Sequence, residues 1–186
     1  MVSQFKSNDA VNLLGGISFL FPEGIHAIGR LDNDSEGLLL LTTDKRVTRL
    51  LFSGPEAHVR SYLVQVKGIV TDETIELLRN GIDILIAGPQ IFKTTPCEVV
   101  RVIDPATIYP QIVLSKEYKP TSWLLISNTE GKFRQVRKMV KAANHPCKRL
   151  IRVAIENVNL GELLPGEVQE LSAEAFFEKL KININT

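Results

Sequence analysis

The sequence contains little that would support a metal site, a disulfide or a nucleotide cofactor. Its two cysteines, Cys97 and Cys147, lie far apart and match no metal-binding spacing, so we expect two reduced thiols. The three histidines are scattered along the chain, which argues against a zinc or iron site. No glycine-rich loop of the P-loop or dinucleotide-binding type occurs. These absences predict chemistry that is carried out by side chains alone.

Long hydrophobic runs are also missing. The longest fully aliphatic run extends from Leu38 to Leu41, whereas a membrane-spanning helix needs about 20 apolar residues. The first 13 residues contain no basic region followed by an apolar stretch, so they do not resemble a secretory signal. We therefore expect a cytoplasmic protein without a membrane partner.

Short apolar runs alternate with helical patterns along the 186 residues, and no repeat or linker divides them. Strands are predicted at residues 25–28, 38–42, 61–67, 98–103, 111–114, 123–127 and 148–155. Helices are predicted after Asp44 through residue 52, and at 71–80, 133–144 and 173–181. The alternating pattern at 61–67 predicts a half-buried strand. Many strands without a regular βαβ repeat indicate an α+β chain with a mixed, largely antiparallel sheet and flanking helices.

The charge is distributed unevenly along the chain. The net charge is only +1, from 22 basic and 21 acidic residues. Residues 132–152 nevertheless hold eight of the basic residues and no Asp or Glu, which leaves 14 basic against 21 acidic residues elsewhere. A basic segment on an otherwise acidic protein is a plausible binding site for a polyanion.

Within this segment, the predicted helix at 133–144 has two distinct faces. Its apolar face is expected to pack on the sheet and consists of Phe133, Val136, Val140 and Ala143. Its basic stripe follows i, i+3, i+4, i+7 spacing and consists of Arg134, Arg137, Lys138 and Lys141. Such a stripe pairs either with a phosphate backbone or with acidic residues of the protein itself. The nearby Lys148, Arg149 and Arg152 favour nucleic acid.

A second candidate site lies in the segment GRLDNDSEGLLLLT, from Gly29 to Thr42. Here Asp32 follows Arg30 by two residues, between Gly29 and Gly37 and between two predicted buried strands. Glycines allow close approach of another backbone or a ligand. A carboxylate in this position can act as a nucleophile or a general base, or it can accept backbone hydrogen bonds in a purely structural turn. The residues alone leave these roles open.

Three segments, in this order, resemble the pseudouridine synthases that modify ribosomal RNA, in the group formed by synthase A of the small ribosomal subunit together with synthases B, E and F of the large one. They are GRLDNDSEGLLLLTTD at 29–44, RSYLVQVKG at 60–68, and EGKFRQVRKM at 130–139 followed by HPCKRLIRVAIENVNLGELLPGE at 145–167. The phrase KPTSWLLIS at 119–127 is most similar to the synthase E branch.

The resemblance implies an RNA pseudouridine synthase that isomerises uridine in large-subunit ribosomal RNA after the base has been flipped out of its stack. Asp32 is the implied nucleophile, attacking C1′ of the sugar or C6 of the base. Tyr62 is implied to lie near the uracil as a general base or packing group, and Arg137 to pair with Asp32. Arg30 is implied to contact the RNA backbone. The other expected RNA-binding residues are Arg134, Lys138, Lys141, Lys148 and Arg149.

The same resemblance implies that residues 1–186 form one catalytic domain, without the S4-like amino-terminal RNA-binding domain and the first strand of the family. We expect a monomer whose partner is ribosomal RNA and which needs no small-molecule cofactor and no metal. Three alternatives stay open: a non-catalytic RNA-binding or ribosome-assembly protein, a synthase directed at transfer RNA, and a hydrolase that uses Asp32 with Asp34 or Glu36.

Overall fold

The computed structural model describes residues 3–5, 10–54 and 56–183. The strands are β1 (His26–Ile28), β2 (Glu36–Gly37), β3 (Leu40–Thr42), β4 (Arg60–Lys67), β5 (Asp83–Leu85), β6 (Ile91–Lys93), β7 (Glu98–Val102), β8 (Thr121–Asn128), β9 (Cys147–Ile155) and β10 (Val158–Asn159). The α-helices are α1 (Arg46–Ser53), α2 (Asp72–Arg79), α3 (Gln135–Ala142) and α4 (Ala173–Leu180). None of these helices is both long and apolar enough to cross a bilayer.

The main sheet has the strand order β10-β9-β4-β8-β7, and the short strand β2 joins it by pairing with β9. The β2–β9 pairing is parallel, whereas the other pairings in this sheet are antiparallel. Strands β1 and β3 form a separate antiparallel hairpin, as do β5 and β6. This architecture confirms the predicted α+β class with a mixed, largely antiparallel sheet.

A hydrophobic core lies on each face of the main sheet. One core contains residues of α2 and α3, and the other contains residues of α1, α4 and the β1–β3 hairpin. Neighbouring residues of the central strand β4 therefore point into different cores, and both Leu63 and Val64 are fully buried. The prediction of a half-buried strand at 61–67 is wrong for this reason, because helices cover both faces of the sheet.

The helix α2 begins and ends where its local sequence predicts. It begins after Thr71, whose Oγ1 accepts a hydrogen bond from the Thr74 amide at 3.3 Å. It is followed by Gly81 at φ +82°, where a Cβ atom would lie 2.1 Å from the Thr94 carbonyl oxygen. Only glycine suits that position, so the predicted helix at 71–80 closed by Gly81 is confirmed to within one residue at each end.

Two other predictions are wrong. Residues 111–114 form no strand, because the Ile112 amide closes a turn onto the Tyr109 carbonyl and Arg149 donates to the Val113 carbonyl. The helix α3 begins at Gln135 and not at residue 133, because Arg134 adopts a left-handed conformation with φ +54°. Phe133 therefore lies outside the helix and is 70% exposed. The β5–β6 hairpin is not predicted from the sequence at all.

Candidate active site

The segment from Gly29 to Leu39 is the loop of the β1–β3 hairpin, whose strands pair Ile28 with Leu40; we call it the 29–39 loop. Gly29 opens the loop at φ +71°, where a Cβ atom would lie 2.9 Å from the Phe52 ring. The Ser35 amide then donates to the Asp32 carbonyl at 2.9 Å and forms a turn. This turn displays Asp32 on the loop, with 27% of its side chain exposed.

Among the described residues, Arg134 is the cation that lies within ion-pair distance of Asp32. Its Nη1 is 3.9 Å from Asp32 Oδ2, while its guanidinium donates two hydrogen bonds to the Asp34 carboxylate, at 2.8 and 2.6 Å. These hydrogen bonds lower the pKa of Asp34 and raise the pKa of Arg134. One arginine at the start of α3 thus lies within 4 Å of two loop carboxylates and offsets part of their negative charge.

Arg137 lies one helical turn further along α3 and contacts the loop beside Asp32. Its Nη2 donates to the Asp34 carbonyl oxygen and, at 3.2 Å, to Ser35 Oγ, and it lies 3.5 Å from the Asp34 carboxylate. Its Nη1 contacts Cys147 Sγ at 3.4 Å. Within the described part of the chain, no hydrogen bond or ion pair joins Arg137 or Tyr62 to Asp32, and the expected partner of Asp32 is replaced by Arg134.

Tyr62 lies in the middle of the main sheet, next to a buried arginine. It pairs in register with Arg152 of β9, and the phenol and the guanidinium interact. Arg152 is only 3% exposed and donates from Nε to the Leu38 carbonyl at 2.8 Å. Its buried Nη2 has no hydrogen-bond partner among the described residues. Burial lowers the pKa of Arg152, because the charged guanidinium is poorly solvated there. Tyr62 opposes this shift, and the positive charge of Arg60 adds to it.

Arg152 also corrects the interpretation of the basic segment. The sequence suggested that it adds to a surface patch, but its side chain is buried beneath the 29–39 loop. Here β2 pairs parallel to β9, and the Leu38 amide donates to the Arg152 carbonyl at 2.8 Å. A Cβ atom on Gly37, which has φ +100°, would lie 2.3 Å from that same carbonyl oxygen. The end of the loop therefore packs directly on the β9 backbone.

The remaining expected RNA-binding residues fall into three groups. Lys148 and Arg149 are engaged within the protein, by Glu117 and by Glu36 at 2.7 Å respectively. Arg30 and Lys141 are exposed, and no hydrogen bond or ion pair occupies their side chains among the described residues. Lys138 donates to the Ile86 carbonyl at 3.2 Å. Intramolecular pairing, the alternative explanation for the basic segment, thus accounts for Arg134, Lys148 and Arg149.

Sequence reasoning missed two groups that hold the site. Ser3 Oγ accepts a hydrogen bond from the Leu31 amide at 3.0 Å, next to Asp32, and nothing in the local pattern around Ser3 signals this contact. Arg60 is buried, stacks on the Phe52 ring at 4.6 Å, and donates to the Thr129 carbonyl at 3.2 Å. Arg60 is the first residue of β4, and no local pattern in the sequence predicts its burial.

The described residues contain no group of three or more His, Cys, Asp or Glu side chains that could hold a metal ion. Both cysteines are unpaired, and burial raises the pKa of each thiol. A cavity of about 1040 Å³ lies behind the 29–39 loop, and Asp32, Tyr62 and Arg137 do not line it. Four arginines thus fasten the loop, and two of its carboxylates, Asp34 and Glu36, are hydrogen-bonded to arginines. The third, Asp32, is partly exposed, which suits nucleophilic or acid–base chemistry on a polyanion.

Comparisons with known proteins identify relatives of this chain. Residues 16–142 match the family model for RNA pseudouridylate synthase. A ribosomal large subunit pseudouridine synthase E from Vibrio parahaemolyticus is 34% identical over 172 residues, which cover 91% of this chain and 69% of the relative. A protein of the same name from Xanthomonas axonopodis pv. citri is 38% identical over 168 residues, which cover 89% of this chain and 85% of the relative.

A solved structure is similar as well. A crystal structure of a pseudouridylate synthase superposes with a TM-score of 0.73 at 27% sequence identity, covering 96% of this chain and 68% of the other. The fold described above and the sequence relatives therefore point to the same family.

Proposed function

The chain belongs to the RNA pseudouridylate synthase family and is an isomerase, and from this premise we propose that it converts uridine to pseudouridine in large-subunit ribosomal RNA. The names of the relatives from Vibrio and Xanthomonas support this choice of substrate. The observation that carries the proposed mechanism is Asp32, a partly exposed carboxylate on a loop that is fastened on two sides by arginines.

We propose Asp32 as the nucleophile. It attacks C1′ or C6 of a uridine that has been flipped out of its stack, and both routes require an ionised carboxylate. Arg134, at 3.9 Å, stabilises that negative charge. The bond from C1′ to N1 breaks and a bond from C1′ to C5 forms, while one proton leaves C5 and another is gained at N1. No atoms or electrons are exchanged overall, so the reaction itself requires no cofactor.

The other groups of the site have supporting roles in this proposal. Tyr62 acts beside the uracil as a base or packing group, and its position is fixed by the central strand β4 and by Arg152. Arg137 holds the turn that carries Asp32, through Asp34 and Ser35, and so acts on Asp32 through the loop. Arg30 and Lys141, which are exposed and free of intramolecular partners in the described structure, contact RNA phosphates.

The test compares Asp32→Asn with Asp34→Asn, two substitutions that remove one charge each, two residues apart. Unmodified transcripts of large-subunit ribosomal RNA, small-subunit ribosomal RNA and transfer RNA are incubated with each protein, and pseudouridine is mapped by carbodiimide treatment and primer extension. We expect product on the large-subunit RNA with the wild type, none with Asp32→Asn, and reduced product with Asp34→Asn.

Other outcomes distinguish the alternatives. Product only on transfer RNA would overturn the choice of substrate, and release of free uracil would indicate a hydrolase. A wild type that binds ribosomal RNA and forms no product would favour a non-catalytic role. Product from Asp32→Asn at the wild-type rate would exclude Asp32 as the nucleophile.

We further propose that the protein is a monomer and that it works in the cytoplasm. The relatives come from bacteria, whose ribosomal RNA is made and assembled in that compartment. Light scattering of the purified protein tests the monomer directly: a dimer mass at micromolar concentration would exclude it.

A further inference from the structure

Phe133 is the residue whose position differs most from the sequence prediction. Its place in the apolar pattern of 133–144 predicts burial against the sheet, but 70% of it is exposed. The cause is the left-handed conformation of Arg134, which stops the helical repeat before Phe133. A large apolar ring that remains in water forgoes the stabilisation that burial would give it. Such a residue is a candidate for contact with a ligand.

The turn that displays Phe133 is held in place from both sides. The Lys132 amide donates to Gln135 Oε1 at 3.0 Å, and Gln135 Nε2 donates to Glu130 Oε2 at 2.6 Å. Gln135 is itself buried. The exposed ring is therefore held on a fixed backbone. This lowers the conformational entropy cost of binding a ligand there.

Phe133 also lies directly beside the proposed active site. The next residue, Arg134, bonds to Asp34 and lies 3.9 Å from Asp32. Consecutive Cα atoms are about 3.8 Å apart, so the backbone that carries Phe133 adjoins the residue that contacts the 29–39 loop.

The surroundings of the ring are basic. Lys138 Nζ lies 5.4 Å from the centroid of the Phe133 ring, and Lys132 Nζ lies 4.9 Å from the centroid of the neighbouring Phe92 ring. The nearby acidic group, Glu130, is engaged by Gln135 and the Thr95 amide. Aromatic rings interleaved with cations suit single-stranded RNA, whose bases stack on the rings while its phosphates meet the cations. An apolar protein partner would have to bury these lysines beside its contact surface.

We propose that Phe133 is a stacking platform for an unpaired nucleobase that flanks the uridine bound at Asp32, with Lys132 and Lys138 against the adjoining phosphates. This inference rests on the proposed function and deepens it. When the uridine leaves its stack, its neighbours lose a stacking partner, and the Phe133 ring replaces that partner.

The experiment uses the full chain and a single-stranded oligouridine dodecamer that carries one central 2-aminopurine, a base whose fluorescence falls when it stacks on an aromatic ring. The test variants are Phe133→Ala, Phe133→Leu and Phe133→Trp. The control is Tyr118→Ala: Tyr118 is 88% exposed and has Lys116 at 5.8 Å from its ring. Tyr118 precedes β8, whereas Phe133 follows it. Because this strand is eight residues long, the two aromatic residues lie near its opposite ends.

We expect the wild type to quench 2-aminopurine and Phe133→Ala to lose that quenching, with binding about tenfold weaker. Phe133→Trp should retain both properties, and Phe133→Leu should lose them, because an aliphatic side chain does not stack in the same way. The dependence of affinity on salt should stay unchanged in all three variants, since no phosphate contact is removed. With ribosomal RNA as substrate, Phe133→Ala should raise KM and leave kcat nearly unchanged.

Equal quenching by wild type and Phe133→Ala would overturn the inference, as would wild-type behaviour of Phe133→Leu or an equal loss in Tyr118→Ala. Intact RNA binding by Phe133→Ala would instead assign the ring to a protein partner. The proposed function fails separately: a wild type that forms no pseudouridine, but quenches 2-aminopurine through Phe133, supports the platform and refutes the enzyme.

Discussion

The 29–39 loop is fastened on two sides, and the two sides are built differently. On the β9 side, the loop is held by backbone pairing of Glu36 and Gly37 and by the buried Arg152 on the Leu38 carbonyl. On the α3 side, it is held by side chains that remain partly exposed, chiefly the ion pair between Arg134 and Asp34. Backbone pairing and the buried Arg152 fix where the loop lies, whereas an exposed ion pair contributes little stability and mainly sets the charge around Asp32.

The most severe way to break the β9 side is to substitute Gly37. In Gly37→Ala the new Cβ would lie 2.3 Å from the Arg152 carbonyl oxygen, at a backbone φ of +100°. We expect a loss of roughly 3 kcal/mol in the free energy of unfolding, from strain and lost pairing together, with activity falling below detection. Urea titration and pseudouridine mapping measure the two effects.

A matched control for this substitution is Gly161→Ala. Gly161 also has positive φ, at +59°, but nothing lies within 4 Å of the position of its Cβ atom. It should cost only about 1 kcal/mol and preserve activity. Equal losses in the two variants would mean that the approach to β9 is unimportant.

Arg152→Met tests the buried part of the β9 side. The variant loses a hydrogen bond to the Leu38 carbonyl, but it also removes a buried cation that faces Arg60. These effects oppose each other, so the melting temperature should change little, while kcat falls about tenfold because Tyr62 and the loop lose their common contact. Calorimetry and single-turnover kinetics check this. A large loss of stability with normal kcat in the folded fraction would contradict it.

Arg134→Gln removes the ion pair with Asp34 on the α3 side of the loop, so it tests how the two sides differ. Because the ion pair with Asp34 is exposed, we expect unfolding to become easier by less than about 1 kcal/mol. The rate should nevertheless fall several-fold, since Asp32 loses the cation that lies 3.9 Å from it. Arg101→Gln, which breaks an exposed ion pair with Asp72 on β7 and α2, should cost similar stability and no activity.

The smallest expected effect concerns pH. Because Arg134 lowers the pKa of Asp34 in the folded protein, the stability that this pair contributes is fully present above the unfolded pKa of about 3.9 and is lost as pH falls through the lower folded pKa. The difference in stability between wild type and Asp34→Asn should therefore stay constant from pH 8 to pH 5 and shrink below about pH 4. A difference that shrinks between pH 7 and pH 5 would contradict the lowered pKa.

Local signals in the sequence predicted most of the fold. Thr71 and Gly81 bound α2, and the strands at 61–67, 98–103, 123–127 and 148–155 agree with β4, β7, β8 and β9 to within two residues at either end. The predictions that are wrong depend on contacts between distant residues or on an unusual backbone conformation. The strand expected at 111–114 is replaced by a turn and a contact from Arg149, which is distant in sequence. No pattern signals that Arg134 is left-handed.

The sequence predicted which segments meet at the site, but not which of their side chains contact each other. The segment 29–42 and the basic segment 132–152 do come together, as the order of the three motifs implies. Which arginine faces which carboxylate was not predictable, because Arg134 and Arg137 differ by one helical turn and periodicity places both on one stripe. The contact of Arg152 with the Leu38 carbonyl accompanies the pairing of β2 with β9, and a two-residue strand leaves no periodic pattern in the sequence. The assigned roles of Asp32, Tyr62 and Arg137 stay predictions.

The contacts that hold the 29–39 loop also determine when the site can form during synthesis of the chain. Its partners Arg134, Arg149 and Arg152 follow it by 100, 113 and 114 residues, measured from Asp34, Glu36 and Leu38 respectively. A nascent chain whose residues 147–155 are still inside the ribosomal exit tunnel cannot provide β9, so it has no completed loop. The 29–39 loop can therefore reach its final arrangement only after residues 147–155 have left the exit tunnel, long after the loop itself has been made.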